Sequence, residues 1–171
     1  MGDRGRIMTE DERIELVKWA YSLLNDAKPL SNNRAEVKLT NNPSVPELVW
    51  KIKRKIVDRE GLRLSKSEPY DEDFLGFVRK NGIIHKHTDL NEGGLIHSRF
   101  NVFLQLPSEG GQTYYDDKPI NAKEGSYVLC RSGLDYHWSD KVKGDKDRIS
   151  LSFGYLLPLN FLTRLNDKFP I

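Results

Sequence analysis

Hydrophobic residues recur at two different periods along this chain, and the period changes near residue 62. Over residues 9–27, apolar side chains repeat every three or four positions, a pattern typical of an amphipathic helix. Thr9 and Glu12 have the spacing of a capping box at the start of that helix. A second helical stripe runs from about residue 44 or 46 to residue 60, and Gly61 stops it. Both stripes predict helices that pack on a core.

After residue 62 the pattern becomes that of short strands, rich in β-branched and aromatic residues and separated by clusters of Gly, Asn, Pro and Asp. The Asn81–Gly82 pair is a strong hairpin signal. Six or more such strands predict a β-sandwich or a jelly roll. The six clearest segments are 73–80, 83–89, 98–106, 112–117, 126–131 and 148–157.

The length of 171 residues suits one domain, and no repeat or low-complexity linker divides the sequence. We expect an α+β, mainly β fold spanning residues 1–171. Within it, residues 1–62 are predicted to form a helical N-terminal layer packed on one sheet of a jelly-roll core at 63–171.

Composition narrows the functional classes. A net charge of +2 and one short basic run at 51–55, expected to be a solvated helix face, give little support for nucleic-acid binding. No apolar run reaches the ~18 residues of a membrane span, and the charged N-terminus has no secretory signal. Cys130 is the single cysteine, which fits a reducing cytoplasm.

The segment "IIHKHTDLNEGG" carries the candidate chemistry. His85, His87 and Asp89 alternate, so in an extended chain they share one face. A mononuclear iron site needs a further imidazole and leaves three coordination positions open. His137, fifty residues beyond His87 and just before the last long strand, is a candidate for that imidazole.

The last strand alternates polar and apolar residues, and Arg148 and Ser150 share its polar face. Such a face usually meets solvent. A guanidinium with a neighbouring hydroxyl is, however, suited to binding a carboxylate through charge-assisted hydrogen bonds.

The ordered set His87-x-Asp89, His137 and Arg148-x-Ser150 resembles the iron(II)- and 2-oxoglutarate-dependent oxygenase superfamily. The segment "EGGQTYY" is similar to the Gly-Gly-x-Thr segment of its prolyl-hydroxylase branch. The resemblance covers roughly residues 73–157.

The resemblance implies a double-stranded β-helix, a distorted jelly roll, with iron near its open end. His87, Asp89 and His137 would be the catalytic metal ligands, and 2-oxoglutarate would chelate the metal. Arg148 and Ser150 would hold the distal carboxylate of this co-substrate. With dioxygen, the enzyme would hydroxylate a C–H bond and release succinate and carbon dioxide. The leading substrate is a prolyl or other amino-acid side chain, in a free amino acid, a peptide or a small metabolite.

Some positions depart from the pattern of the branch. Phe103 stands where a tyrosine often contacts the co-substrate, and Arg99 and Asn101 share that face as candidate replacements, as substrate contacts, or as an outward polar face. We expect His85 near the mouth or the surface and His97 in a loop or at a strand end. Three aromatic residues are candidates to line the substrate mouth or to pack within the sandwich: Tyr114, Tyr115 and Trp138.

Two alternatives remain at this stage. His85-x-His87 with Glu92 imitates the first motif of the cupins, metal-binding jelly rolls that do not use 2-oxoglutarate, although the glycine spacing and the second motif do not fit. A metal-free carbohydrate- or peptide-binding sandwich is the other. Nucleic-acid demethylation is disfavoured, because those members carry a second arginine where this chain has Gly154.

Overall fold

Three helices and eleven strands make up the computed structural model, which describes residues 3–70 and 72–167. The helices are α1 (Glu10–Ser22), α2 (Glu47–Glu60) and α3 (Leu159–Asp167). The strands are β1 (Lys28–Leu30), β2 (Arg34–Lys38), β3 (Lys66–Ser67), β4 (Phe74–Val78), β5 (Ile84–His87), β6 (Ile96–Gln105), β7 (Thr113–Tyr115), β8 (Lys118–Pro119), β9 (Tyr127–Cys130), β10 (His137–Ser139) and β11 (Arg148–Leu157).

The strands form two antiparallel sheets. The larger sheet has the order β1-β2-β4-β11-β6-β9, with β3 also paired to β11. The smaller sheet has the order β5-β10-β7-β8. The mainly β class, the antiparallel sheets and the six strands predicted from the sequence are therefore confirmed.

The helix ends agree with the sequence signals. Thr9 and Glu12 form both bonds of the capping box at the start of α1. Gly61 ends α2 with a φ of 75°, the left-handed conformation that glycine adopts without strain. Helix α1 is shorter than predicted, because the chain turns after Ser22 rather than continuing to residue 27.

Six elements lie outside the predicted segments. Strands β1 and β2 lie between the first two helices and extend the larger sheet beyond β4, so residues 1–62 are not helical throughout. The short strands β3, β8 and β10 and helix α3, which follows β11 directly, are the others. The predicted hairpin at Asn81–Gly82 is a turn, but the strands it joins, β4 and β5, belong to different sheets.

The two faces of β11 organise the interior. Ile149, Leu151 and Phe153 are fully buried in the main core, where the larger sheet packs against the helices. The helices contribute buried residues to the same core, namely Leu16, Ala20, Val49, Ile52, Ile56 and Leu162. Arg148, Ser150 and Ser152 alternate with the apolar residues and line a cavity instead. None of the described helices is long and apolar enough to cross a membrane.

Because one face of β11 lies in the core and the other lines the cavity, substitutions at neighbouring positions should change stability by very different amounts. Leu151→Ala removes a side chain that is fully buried in the core and should lower the free energy of unfolding by about 2–5 kcal/mol. Ser150→Ala faces the cavity and should change it by about 0.5 kcal/mol or less. Urea denaturation of both variants measures this difference. Equal losses would contradict the two-faced arrangement.

Candidate metal centre and cavity

His87 and His137 lie directly opposite each other on neighbouring strands. The register of β5 and β10 pairs their Cα atoms, and a bulge follows between His137 and Ser139. The two ring centroids are 4.2 Å apart. Fifty residues of sequence separate the two histidines, but antiparallel pairing in the smaller sheet brings them into contact.

Both imidazole rings are oriented in the same way by the backbone. Nδ1 of His87 lies 2.7 Å from the carbonyl oxygen of His85, and Nδ1 of His137 lies 3.3 Å from that of Asp135. A carbonyl only accepts, so in the neutral form of each ring the proton is on Nδ1 and the lone pair is on Nε2. The Nε2 atoms lie 3.5 Å and 3.9 Å, respectively, from Oδ1 of Asp89.

Asp89 completes this cluster from the loop that follows β5. Its backbone N–H donates to the carbonyl of Ser132 at 2.7 Å, which fixes where the side chain begins. The ligand atoms of His87, Asp89 and His137 all lie within 4.8 Å of one another. Two imidazole nitrogens and one carboxylate oxygen with open positions are the donor set typical of non-haem iron(II) oxygenases.

Burial favours the metal-binding form of His137. Desolvation lowers the pKa of this imidazole, and the nearby Asp89 carboxylate opposes the shift. A neutral imidazole is the form that binds a metal ion. The local environment of His137 is therefore suited to coordination.

His85, the remaining histidine of the sequence motif, lies outside this cluster. His85 is exposed, as expected, and among the described residues the group able to hold a metal contains His87, Asp89 and His137. Glu92 lies 3.5 Å from Lys66 instead. The donor set that the cupin alternative requires is not assembled.

A cavity of about 370 Å³ extends from the metal-ligand cluster between the two sheets. Gly76 on β4 keeps its floor open, because a Cβ atom there would lie 3.2 Å from the Phe74 ring and 3.8 Å from Oγ of Ser150. The floor therefore continues across three strands, from Ser150 on β11 to Arg34 and Glu36 on β2.

Arg148 places a positive charge in this cavity, and none of the described residues forms an ion pair with it. The residue is 8% exposed, and its Nε and Nη1 atoms have no hydrogen-bond partner among the described residues. The guanidinium lies over the ring of Phe103, 5.7 Å from its centroid. Burial lowers the pKa of Arg148, yet an arginine stays charged in proteins. A buried, unpaired cation is costly, so this site is suited to an anionic ligand.

Tyr115 supplies a hydroxyl group to the cavity that Arg148 also lines. From the sequence, this residue was a candidate only for the substrate mouth or for packing within the sandwich. Its side chain is buried, and Nδ2 of Asn101 donates to its hydroxyl oxygen at 3.4 Å. Burial raises the pKa of Tyr115 well above its ordinary value, so the phenol keeps its proton and can donate it in a hydrogen bond. The positive charge of Arg148 opposes part of this rise in the pKa, and both residues line the cavity.

The other two aromatic candidates form a pair beside the cavity. Tyr114 and Trp138 stack with ring centroids 4.0 Å apart and an interplanar angle of 7°. Trp138 lines the cavity, and its Nε1 donates to Asp117 at 3.2 Å. Tyr114 is not among the described residues that line the cavity.

Arg99 lines the cavity but its guanidinium is already engaged. Nη2 donates to Glu68 at 2.7 Å, and Nη1 donates to the carbonyl of Glu72 at 3.0 Å and to Oγ of Ser152 at 3.3 Å. These bonds hold the guanidinium in place, and the contact of Arg99 with the co-substrate stays a prediction. Asn101 remains available beside Tyr115.

The Gly-Gly-x-Thr segment brings the strand of Tyr115 into position. Gly110 has a φ of 68°, and a Cβ atom there would lie 2.1 Å from the carbonyl oxygen of Lys141. Only glycine allows this close approach of two backbones. Thr113, three residues later, pairs with Ser139 of β10 and lines the cavity.

Comparison with known proteins was made by sequence and by structure. No family model matches the sequence, and no curated protein matches it. Solved structures do match. A collagen prolyl hydroxylase of Paramecium bursaria Chlorella virus-1, in complex with 2-oxoglutarate, is 17% identical with a TM-score of 0.66, over 92% of this chain and 95% of that chain.

Two further prolyl hydroxylases match over most of the chain. The Pseudomonas putida prolyl-4-hydroxylase is 12% identical with a TM-score of 0.63, over 92% of this chain and 91% of that chain. A Trichoplax adhaerens prolyl hydroxylase, in complex with a hypoxia-inducible-factor peptide fragment, is 10% identical with a TM-score of 0.70, over 99% and 86%. The chain therefore has the fold of the 2-oxoglutarate- and iron(II)-dependent oxygenases, in the form seen in prolyl hydroxylases.

The geometry of the cluster predicts which histidines are needed for metal binding. His87→Ala and His137→Ala each remove one of three donors and should abolish stoichiometric binding of Fe(II) or Mn(II). His85→Ala is the matched control, since its ring lies outside the cluster, and should bind metal as the wild type does. Anaerobic titration calorimetry makes the comparison. Loss of binding in His85→Ala, or retention in the other two, would contradict this assignment.

Proposed function

We propose that this protein is an iron(II)- and 2-oxoglutarate-dependent dioxygenase that hydroxylates a C–H bond of its substrate and releases succinate and carbon dioxide. One observation carries the proposal. A single cavity combines an open face of two imidazoles and one carboxylate with a buried arginine that pairs with no acidic group in the described part of the chain. The two imidazoles and the carboxylate can hold a metal ion that keeps free coordination positions. The arginine can pair with the far carboxylate of a dicarboxylate that is bound to this ion.

The residues present fit both cofactors. His87, Asp89 and His137 would hold the iron, and Arg148 would pair with the distal carboxylate of 2-oxoglutarate, with Ser150 as a hydrogen-bond donor. Bound there, the iron would supply the oxygen chemistry that couples decarboxylation of 2-oxoglutarate to hydroxylation. The chain's own part is to orient the donors, to neutralise the co-substrate charge and to exclude water.

Tyr115 takes the place of the tyrosine that the sequence lacks at Phe103. In this proposal its hydroxyl donates to the co-substrate carboxylate next to Arg148, and Asn101 orients it. The Phe103 ring lies under the guanidinium instead, where it shields the charge from water. A different strand, β7, thus supplies the phenol.

We also propose that the two sheets form a double-stranded β-helix and that residues 1–171 are one oxygenase domain. The cavity is lined by strands of both sheets, as the open end of such a fold requires. The similar structures cover 92–99% of this chain.

The leading substrate is a prolyl or other amino-acid side chain. Three similar structures are prolyl hydroxylases, and one of them holds a peptide fragment. The cavity floor beyond Gly76 provides room beside the co-substrate, and Arg34 and Glu36 lie at that end. Trp138 lines the cavity and stacks on Tyr114, so it offers an aromatic surface to a substrate.

The proposed activity is tested by product formation. The protein with Fe(II), 2-oxoglutarate and a panel of proline-containing peptides and free amino acids should form succinate in proportion to oxygenated product. Mass spectrometry would detect a gain of one oxygen atom in the substrate. His87→Ala is the inactive control. Metal binding without any decarboxylation of 2-oxoglutarate, with or without substrate, would refute the oxygenase assignment.

The role of Arg148 is tested by co-substrate affinity. Arg148→Ala removes the cavity's unpaired guanidinium and should raise the dissociation constant for 2-oxoglutarate by about two orders of magnitude, because a carboxylate is left buried without its partner. The variant should still bind Mn(II), since the metal ligands are unchanged. Arg34→Ala is the matched control, an arginine on the same cavity floor. Wild-type affinity for 2-oxoglutarate in Arg148→Ala would refute this role.

A further inference from the structure

His97 lies between the metal-ligand cluster and the buried interior of the larger sheet. It is the second residue of β6, at a strand end as expected from the sequence, and it is only 3% exposed. Its Nδ1 lies 3.5 Å from Oδ2 of Asp89, and its Nε2 lies 3.6 Å from Oε2 of Glu68. The ring therefore sits between two carboxylates.

The two oxygens of Asp89 face different partners. Oδ1 lies 3.5 Å from Nε2 of His87 and 3.9 Å from Nε2 of His137, on the side where a metal ion would bind. Oδ2 points toward Nδ1 of His97. A donor on Oδ2 fixes the rotation of the carboxylate and leaves Oδ1 as the single ligand atom.

The far side of the His97 ring faces a buried ion pair. Glu68 has no exposed side-chain surface, and its Oε2 accepts from Arg99 at 2.7 Å. A side chain at position 154 would disturb this arrangement, because a Cβ on Gly154 would lie 3.0 Å from Cβ of Glu68 and 3.3 Å from Nη1 of Arg99. The ion pair thus borders the inner side of the ring.

The backbone around His97 is tied to that of Asp89. The His97 carbonyl accepts from the backbone N–H of Gly133 at 2.9 Å and from Oγ of Ser132 at 3.2 Å. The carbonyl of Ser132 in turn accepts the N–H of Asp89. Asn91 closes the connection, since its Oδ1 accepts from the His97 N–H at 3.0 Å and its Nδ2 donates to the Gly133 carbonyl at 2.9 Å. Neither end of the His97–Asp89 contact is free to shift alone.

We propose that His97 is a positioning residue for the metal centre. Its Nδ1 holds Oδ2 of Asp89, and the buried Glu68–Arg99 pair on the other side of the ring limits how far the ring can move. The inference rests on the metal centre of the proposed function, but it assigns a role outside the ligand set. Outer partners of this kind typically change metal affinity by 10–100-fold when they are lost.

The test separates the two nitrogens of the ring by substitution. In His97→Asn the side-chain amide replaces the Nδ1 position that faces Asp89, whereas in His97→Gln it replaces the Nε2 position that faces Glu68. His97→Leu removes both. Mn(II) affinity of the apoprotein is measured by calorimetry, and the stability of each metal-free variant is measured by urea denaturation. His85→Leu is the control, an exposed histidine near the same ligands.

We expect His97→Gln and His97→Leu to bind Mn(II) about 10–100-fold more weakly than the wild type, with His97→Asn close to the wild type. If His97→Leu does not fold, the Asn and Gln pair alone decides the result. Equal Mn(II) affinities in the Asn and Gln variants, or affinities that follow metal-free stability alone, would overturn the role of His97. Absence of Mn(II) binding by the wild type would overturn the metal centre itself.

Discussion

The alternation of side chains along β11 is the constraint on which the rest of the molecule depends. One strand must supply apolar residues to a dry core on one face and polar residues to a cavity on the other. Leu151 and its apolar neighbours are covered by helices, which fixes the orientation of the strand. Arg148 is consequently held inside the protein, although a charged side chain is costly to bury without a partner. A one-residue shift in register would exchange the two faces. Burial of the apolar face in the core therefore fixes the direction of the Arg148 side chain, which lies in the cavity.

The smaller sheet contributes the other half of the site by the same geometry. Pairing of β5 with β10 sets His87 against His137, and local carbonyls turn both Nε2 atoms toward Asp89. The two histidines and Arg148 thus belong to different sheets, and the cavity is lined by residues of both. The glycine at position 76 and the phenol of Tyr115 shape the space that remains.

Much of the fold could be predicted because its signals are local. Strand-rich segments, the capping box at Thr9 and the glycine stop after α2 all depend on neighbours within a few residues. Strands β1 and β2 could not, since these two short polar segments become strands only because β1 pairs with β2 and β2 pairs with β4. The ordered spacing of the ligands located the site. The positions of His97 and Tyr115 depend instead on contacts between distant strands, for which the sequence carries no local signal.

We propose that His87, Asp89 and His137 bind one metal ion and that Arg148, elsewhere in the same cavity, binds the co-substrate. This arrangement would be seen in a crystal structure of the protein with Mn(II) and 2-oxoglutarate, grown without oxygen. We expect one ion about 2 Å from Nε2 of His87, Oδ1 of Asp89 and Nε2 of His137, with the distal carboxylate of 2-oxoglutarate on the Arg148 guanidinium. An ion ligated by His85 or Glu92, or 2-oxoglutarate bound away from Arg148, would contradict it.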